Sequence, residues 1–434
     1  MTRRLGYVFL LVAAACTENA TAPGACPNFC PSDSIAIKDT IYTTIIDRDS
    51  SFLGYVPAYQ AEAMTAADVP GVVDSRAFFT TDTVLDRVTP KVGDTTTVAK
   101  TMDSLRVRFV IVRRPQNTTN LRLRLYRLPV ALDSASTFLT LDPAFTAAPV
   151  DSLNINDLLA LPAIGDTQTI RLWGDSIRVD AAGHVLQIHS IDSTLAVYFN
   201  LDSLHAPFSV ADTGRSAWGV RVAADSFASV TLGTTESGSN APLARWFYHY
   251  TIPDTASATP DTVAQKDKTV PNRFDSFVFE PPNPSLDSNL TVGGAPSART
   301  LLRVAMPAAL RDSVDVVRAT LILVPVNAVP GVPSDSFKIE AHPVLTDLGA
   351  KSPTATTVAG TTFIHIGSAD TVKIELTNLV RSWALDTTLT TAFILGQVPE
   401  AASYTEIRFY SSRTPAFRPA LHVTYVKRFR FGNP

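Results

Sequence analysis

Cysteine and charged residues are scarce in this sequence of 434 residues. Three cysteines are too few for a disulfide-stabilised scaffold, and a hydrophobic fraction of 45% is too high for a wholly disordered chain. Lys and Arg number 37 and Asp and Glu number 40, which leaves a net charge of −3. Because the two signs nearly cancel, the chain lacks the broad positive field that attracts nucleic acid. Nucleic acid is therefore not predicted as a partner.

The N-terminal apolar run is too short to span a bilayer. It covers the 11 residues from Leu5 to Ala15, whereas a membrane-spanning helix needs about 20. Two arginines, Arg3 and Arg4, precede it, and small residues ending at Cys16 follow it. This order of charged, apolar and small segments predicts an export signal peptide over residues 1–15 that is cleaved rather than retained.

The last residues of that signal resemble a bacterial lipobox, in which the cysteine is diacylated and becomes the first mature residue. The matching segment is Ala13–Cys16. The resemblance implies that Cys16 carries lipid and holds an exported protein in the cell envelope, as an outer-membrane lipoprotein or at the cell surface. An ordinary signal peptidase site, with Ala-x-Ala before the cut and Cys16 incidental, is the alternative.

A segment rich in Pro, Ser, Thr and Ala follows, over residues 16–37, and it has no apolar periodicity. This composition predicts a flexible tether. Cys26 and Cys30 lie within it with three residues between them, and an oxidising envelope favours a local disulfide between them. A metal site would need two further ligands, and no other Cys or His is nearby.

Beyond the tether, apolar and polar residues alternate in short runs. In Leu105–Phe109 and Leu121–Leu125 the apolar residues alternate with arginine, so each strand has one dry and one wet face. Many such runs are separated by turns of Asp, Ser, Thr and Pro, with few helical stretches. This pattern predicts an all-β fold of two tandem antiparallel β-sandwich domains of jelly-roll-like type.

Two pairs of similar segments indicate an internal repeat. Leu121–Val130 aligns with Val317–Val326, and Pro242–Tyr248 aligns with Pro419–Tyr425. Between the copies, residues 251–268 have the composition of a linker. We therefore predict a first domain over residues 38–250 and a second over residues 269–430, joined by the linker 251–268.

The second copy contains short motifs in a recognisable order. They are Asn289–Gly294, Arg299–Val304, Ala319–Leu323, Leu376–Trp383 and Arg418–Tyr425. Together they resemble the DNRLRE-type domain, a family also treated as a carbohydrate-binding module, over most of residues 280–426. The first copy keeps the closing strand but has no clear Asn-x-x-x-Gly opening. The resemblance implies a β-sandwich of the kind carried by large secreted or surface proteins.

Motifs of catalysis are missing. The sequence contains no HExxH, GxSxG, GxxxxGK[ST] or GxGxxG, and its cysteines all lie in the signal and tether. We predict no catalytic residue, no cofactor and no metal, and hence no enzyme. A glycosidase needs two carboxylates that face each other across a cleft. One sequence does not show such a pair, so a hydrolase stays open as an alternative.

Calcium is the one metal with candidate ligands, at Asp47–Asp49 and Asp287–Asn289. Neither segment continues into the 12-residue calcium loop with its glycine and terminal glutamate. Short side chains at such positions commonly cap their own backbone in turns. Turn capping is therefore the expected role of both segments.

Exposed aromatic rings would indicate a sugar-binding surface, but the tryptophans are predicted to lie in the core. Trp218 and Trp246 stand in alternating strands, and Trp383 follows Leu379 and Val380 at spacings that place all three on one side of a helical turn. Trp173 is assigned to the core by the same default. A binding surface built from Tyr, Arg and Asn on loops would leave no such pattern.

These observations favour a non-catalytic, lipid-anchored surface protein. We expect it to be an interaction or structural module whose partners are polysaccharide or other surface proteins. The alternative is a secreted polysaccharide-degrading enzyme or its accessory binding subunit. A subunit of a surface filament or coat is a third interpretation, which no single sequence feature favours.

Overall fold

The computed structural model describes residues 37–90, 95–114, 118–156, 168–172, 175–179, 185–186, 195–202, 214–252, 262–311, 314–331 and 336–427. The predicted signal peptide, the lipidation of Cys16 and the disulfide between Cys26 and Cys30 lie outside these residues. Two α-helices lie wholly within them, α1 (Phe138–Thr146) and α2 (Thr377–Leu385). Short 3-10 turns occur at Ala58–Gln60, Thr235–Asn240, Ala308–Leu310 and Gly349–Lys351.

Most of the described residues form β-strands. In chain order the strands are β1 (Ile37–Tyr42), β2 (Ile46–Leu53), β3 (Ala63–Val69), β4 (Val73–Thr81), β5 (Arg87–Val88), β6 (Val98–Ala99), β7 (Thr101–Arg113), β8 (Arg122–Leu128), β9 (Asp151–Asn154), β10 (Gln168–Leu172), β11 (Asp175–Val179), β12 (Val185–Leu186), β13 (Leu195–Asp202), β14 (Ala217–Ala223), β15 (Ala228–Gly233), β16 (Leu243–Ile252), β17 (Thr262–Glu280), β18 (Leu290–Gly293), β19 (Ala298–Val304), β20 (Val314–Leu323), β21 (Ser336–Pro343), β22 (Gly360–His365), β23 (Val372–Glu375), β24 (Ala392–Gln397), β25 (Glu406–Phe409) and β26 (Ala420–Lys427). The predicted all-β fold is confirmed.

The C-terminal unit is a β-sandwich of two antiparallel sheets. One sheet has the order β1-β26-β20-β23, and the other has the order β22-β21-β24-β19-β18-β25 with β2 also paired to β19. Alternation along each strand sends every second side chain into the space between the sheets. In β21, for example, Phe337, Ile339 and Ala341 are buried in the core while the residues between them are polar. Helix α2 adds Leu379, Val380 and Trp383 to the same core.

The N-terminal unit is a sandwich in which both layers belong to one sheet that closes on itself. Its strand pairings run β17-β16-β7-β15-β3-β4 and return to β17, with β13, β14, β8 and β9 attached to this ring. The closure depends on β17, which is 19 residues long. Its first half pairs with β16 and its second half pairs with β4. The strands of the ring enclose one apolar core, which includes Phe79, Phe109 and Trp218.

Helix α1 covers the outer side of this ring. Thr137 caps its first turn by accepting a hydrogen bond from the Thr140 backbone N–H, as short hydroxyl side chains do at helix starts. Phe145 of α1 then packs in a second cluster beside Tyr126 and Leu128. A Cβ on Gly219 would lie 2.4 Å from the Phe145 ring. Only glycine therefore lets the helix approach the sheet this closely.

The sheet pairing differs from the predicted domain boundaries in three places. Strands β1 and β2, assigned to the first domain of residues 38–250, pair with β26 and β19 of the C-terminal unit. Residues 262–268, assigned to the linker 251–268, begin β17 and pair with β16 of the N-terminal unit. Residues 269–280, assigned to the second domain of residues 269–430, complete β17 and pair with β16 and β4 of the N-terminal unit. The exposed start of β17 carries mostly polar residues. Local composition therefore does not distinguish it from a linker.

The segments aligned in the internal repeat are strands in both units, but their neighbours differ. Leu121–Val130 contains β8 and Val317–Val326 overlaps β20, while the closing segments overlap β16 and β26. Strand β20 pairs with β26, whereas β7, not β8, is the neighbour of β16 in the order of the large sheet. The aligned segments thus do not occupy matching places in the two units.

The two units pack against each other. The Thr65 hydroxyl donates a hydrogen bond of 2.7 Å to the Ala402 carbonyl oxygen, and an Arg113 guanidinium nitrogen donates one of 3.2 Å to the Ser336 carbonyl oxygen. A small apolar cluster joins Val69 and Val73 of the N-terminal unit to Tyr404 of the C-terminal unit. These contacts create cavities whose walls come from both units.

Candidate functional site

A cleft of about 500 Å³ opens on the N-terminal unit. Its walls come from the 3-10 turn at Ala58–Gln60, the end of β4, the loop that follows β8, the approach to β14 and the middle of β17. The side chains that matter for its chemistry are Tyr59, Thr80, Asp133, Arg215, Arg273 and Phe274. We call this site the arginine cleft.

No helix among the described residues combines the length and the apolar composition that crossing a membrane requires.

Two aromatic rings form one wall of the arginine cleft. The rings of Tyr59 and Phe274 are stacked, with centroids 5.9 Å apart and an angle of 30° between their planes. Phe78 packs near Phe274, with ring centroids 6.3 Å apart. Both cleft rings are only half-buried, so each keeps part of its apolar surface available to a ligand.

Neither guanidinium group of the cleft has a hydrogen-bond or ion-pair partner in the part of the chain that the structure describes. The Arg215 Nε is buried without a partner, and Arg273 is exposed. Asp133, whose carboxylate could neutralise them, instead accepts a hydrogen bond of 2.9 Å from the Ala135 backbone N–H. The lining of the cleft therefore carries two guanidinium groups against one carboxylate, and neither guanidinium is paired with that carboxylate.

Local structure explains how each arginine is placed. The pairing of β17 with β4 shifts register between Asn272 and Phe274, so Arg273 is the extra residue of a β-bulge. Bulges re-aim side chains and are frequent beside binding sites. Arg215 directly precedes Ser216, whose backbone N–H donates to the Thr81 hydroxyl at 3.0 Å. Both arginines thus have anchored backbones although their side chains are unpaired.

A buried carboxylate holds the bulge in place. Asp275 accepts hydrogen bonds from the Thr235 backbone N–H at 3.0 Å and from the Thr235 hydroxyl at 2.7 Å, and it also accepts one from the Asn272 side-chain amide. Burial raises the pKa of Asp275, although the hydrogen bonds from Thr235 act in the opposite direction. This carboxylate belongs to the scaffold behind Arg273 and Phe274 and is itself only 2% exposed.

In a groove of about 270 Å³ on the C-terminal unit, the arginine charge is paired with a carboxylate. Arg299 makes two hydrogen bonds to the Glu400 carboxylate, at 2.6 and 2.7 Å, and its guanidinium carbon lies 4.3 Å from the centre of the Tyr55 ring. The hydrogen bond to Glu400 raises the pKa of Arg299. Since the charge is satisfied within the protein, this groove attracts ions less strongly than the arginine cleft.

The tryptophans that the structure describes lie where the sequence predicted, in the core. Trp218, Trp246 and Trp383 are at most 3% exposed. Trp383 packs near Phe393, with ring centroids 6.3 Å apart. Trp173 lies outside the described residues. The three described tryptophans are therefore not sugar platforms.

Each described histidine either contacts a carboxylate or lies on an exposed strand surface. Three of them contact a carboxylate oxygen within 3.3 Å: His249 with Asp103, His342 with Glu340 and His422 with Asp39. Hydrogen bonds from Thr424 and then His422 lower the pKa of Asp39. His184, His189 and His205 lie outside the described residues. Within the described ranges, no three His, Cys, Asp or Glu side chains are grouped closely enough to hold a metal.

The two calcium candidates anchor loops. Asp49 accepts a hydrogen bond of 2.5 Å from the Ser412 backbone N–H. Asp287 accepts one of 2.7 Å from the Asn289 backbone N–H and forms an ion pair of 2.9 Å with Arg408. The Asp287 hydrogen bond agrees with the predicted capping of its own turn. For Asp49 that prediction is wrong, because this residue lies within β2 and its hydrogen bond joins a distant loop.

No sequence pattern marks the arginine cleft. Arg215 and Arg273 are 58 residues apart in the chain and belong to no motif. Their proximity depends on β14 and β17 pairing with the same strand, β4. A surface built from Tyr, Arg and Asn on loops was the general expectation, which named no residue, whereas Arg273 and Phe274 of the cleft lie in β17.

Comparisons with known proteins identify no family. No family model and no curated protein matches the sequence. One solved structure to which the chain is similar is the N-terminal CBM22-1-CBM22-2 tandem domain of Xyn10C from Paenibacillus barcinonensis, at 8% identity and a TM-score of 0.15. The match covers 88% of this chain and 99% of that one. At this TM-score the likeness carries no argument about structure or ligand.

Proposed function

We propose that this chain is a non-catalytic, lipid-anchored surface protein that binds an acidic polysaccharide in the arginine cleft. The observation that carries the proposal is the pair of guanidinium groups of Arg215 and Arg273, which have no ion-pair partner among the described residues and lie beside the Tyr59–Phe274 stack. A sugar ring offers an apolar face to an aromatic ring, and a uronic acid adds a carboxylate that a guanidinium binds in a planar, bidentate manner. The cleft offers both kinds of contact.

Charge distinguishes this proposal from binding of a neutral glycan. Unpaired arginines at a half-open site gain most from a ligand that supplies negative charge, because hydrogen bonds between ionised groups are about twice as strong as neutral ones. The net charge of the whole chain is only −3, so the protein as a whole does not strongly repel an anionic polymer. Local charge in the cleft therefore decides the ligand.

The described lining of the cleft has one carboxylate, which favours binding over hydrolysis. A glycosidase places two carboxyl groups about 5–9.5 Å apart across the scissile bond. Asp133 is the one carboxylate among the described residues that line the cleft, and it caps its own turn. A polysaccharide-degrading enzyme stays the alternative function, and release of reducing sugar from the probe would favour it.

Removing the two charges should abolish binding of an acidic glycan. For Arg215→Gln combined with Arg273→Gln we expect at least about a 100-fold weaker Kd for oligogalacturonate, because each lost charge-assisted hydrogen bond costs about 1.5–3 kcal/mol. Isothermal titration calorimetry at low ionic strength measures this effect. Methyl-esterified oligogalacturonate, which has the same backbone without the negative charge, should bind weakly even to the unaltered protein.

The matched control removes two arginines elsewhere. Arg48→Gln combined with Arg318→Gln changes the net charge equally, and these side chains are 73% and 69% exposed. We expect this variant to keep the affinity of the unaltered protein. Equal affinity of the cleft variant and the unaltered protein for oligogalacturonate would contradict the proposed site.

The lipid anchor has its own test. A diacylglyceryl group and an amide-linked acyl chain together provide the two anchors that stable membrane attachment requires. Replacing Cys16 by Ser should therefore move the protein from the membrane to the soluble fraction after cell lysis, as measured by immunoblotting of the two fractions. Unchanged fractionation would show that Cys16 does not carry the anchor.

A further inference from the structure

We infer that the cavity between the two units is a second binding site, for an uncharged sugar residue that contacts both units. This junction cavity has a volume of about 300 Å³. Its N-terminal wall comes from β3, β7 and β15, and its C-terminal wall comes from β21, β22, β24 and the loop that follows β24. Junctions between domains are frequent places for small-ligand sites.

The cavity wall carries polar groups that the protein does not satisfy. Gln397 is only 6% exposed, and its side-chain carbonyl oxygen has no hydrogen-bond partner among the described residues. The hydroxyls of Ser229 and Thr231 on β15 also make no hydrogen bond within the described part of the chain. The Gln397 oxygen has almost no accessible surface, so it does not contact a ligand in the cavity directly. A ligand rich in hydroxyl groups would supply donors and acceptors to the hydroxyls of Ser229 and Thr231.

An exposed aromatic ring stands at the edge of the same cavity. Phe363 on β22 lines it and is 62% exposed. It is the most exposed large aromatic side chain in the described residues. A ring of this kind offers a flat apolar surface to the C–H face of a sugar. The cavity thus combines the apolar contact and the hydrogen-bonding groups that a sugar residue requires.

The charged side chains of the cavity are already paired, which favours an uncharged ligand. Lys338 forms an ion pair of 2.6 Å with Glu340, and Arg113 donates to the Ser336 carbonyl oxygen. The ion pair and hydrogen bond with Lys338 lower the pKa of Glu340. An acidic sugar would compete with the Glu340 carboxylate for Lys338, whereas a neutral sugar would not. The junction cavity therefore differs from the arginine cleft in the charge of its ligand.

A ligand in this cavity should also hold the two units together. The hydrogen bond from Thr65 to Ala402 and the cluster around Tyr404 already place the two walls. Because the ligand contacts both walls only when the units are docked, it should stabilise the docked state by mass action. Binding should therefore raise the melting temperature in a ligand-dependent manner.

The test titrates the whole chain from residue 17 with neutral oligosaccharides. The probes are cellohexaose, xylohexaose and mannohexaose, measured by isothermal titration calorimetry together with thermal unfolding. We expect at least one probe to bind. We expect Phe363→Ala and Ser229→Ala each to lower the affinity for that probe by about tenfold. Phe417→Ala, which removes another exposed ring (47% exposed) that does not line the cavity, should leave the affinity unchanged.

The results for the neutral probes test the junction cavity independently of ligand binding in the arginine cleft. The double variant of Arg215 and Arg273 should bind the neutral probe as the unaltered protein does. Loss of the neutral probe in that variant, or equal affinity in all variants, would place the sugar elsewhere and overturn the junction site. Failure of all three probes to bind would also overturn it. Binding of oligogalacturonate would stand or fall independently of these results.

Discussion

Replacing Trp383 by Ala should lower the free energy of unfolding by about 3–5 kcal/mol, the usual cost of removing a large aromatic side chain from a core. Trp383 is 2% exposed and projects from α2 into the core between the two sheets of the C-terminal unit. Truncation leaves a cavity that the surrounding strands can fill only partly. Urea denaturation followed by far-ultraviolet circular dichroism measures the change.

Phe417→Ala is the control for this substitution. Phe417 is an aromatic residue of the same unit that is 47% exposed and stacks on Tyr410 at the surface. We expect its replacement to cost less than about 1 kcal/mol, as is usual for exposed positions. A Trp383→Ala variant as stable as this control would contradict the core assignment and would make Trp383 a candidate for ligand contact.

A fragment of residues 269–434 should fail to fold cooperatively. It lacks β1, which pairs with β26 over six residues, and β2, which pairs with β19 over seven. It also lacks Ile45 and Ile46, which are both buried in the core of the C-terminal unit. Their removal exposes apolar side chains and leaves the edges of two sheets without partners. We expect aggregation or a broad, weak thermal transition by circular dichroism.

A permuted polypeptide provides the matched control. Ile37 of β1 lies opposite Val426 of β26 in an antiparallel pair, so a two-residue Asn-Gly turn can join these strands. Residues 281–426 followed by that turn and residues 37–56 restore both missing strands. We expect this polypeptide to unfold in one cooperative transition. Cooperative folding of the fragment 269–434 without the added strands would show that β1 and β2 are dispensable.

Elements that depend on neighbouring residues could be predicted from the sequence. Alternation of apolar and polar residues indicated strands at Leu105–Phe109 and Leu121–Leu125, and these lie in β7 and at β8. The spacing of Leu379, Val380 and Trp383 indicated one apolar side of a helical turn, and all three are buried in α2. Burial follows directly from such patterns because side-chain direction repeats with a fixed period in strands and helices.

Pairing between distant strands could not be predicted in this way. Nothing in the composition of β1 or β2 distinguishes pairing with the C-terminal unit from pairing with the strands that follow them. The polar face at the start of β17 suits an exposed strand as well as a linker. The assignment of β1 and β2 to the C-terminal unit therefore depended on contacts between residues that are more than 200 positions apart.

The sequence by itself determined the class of the fold, the strands with clear alternation and the burial of Trp218, Trp246 and Trp383, because each depends on periodic patterns within a few residues. Tertiary structure alone decided which strands share a sheet and which side chains meet in the arginine cleft. Arg273 reaches that cleft through a β-bulge against β4, and Arg215 reaches it because β14 pairs with the same strand. Register and bulges follow from the packing of whole sheets. No local motif records them.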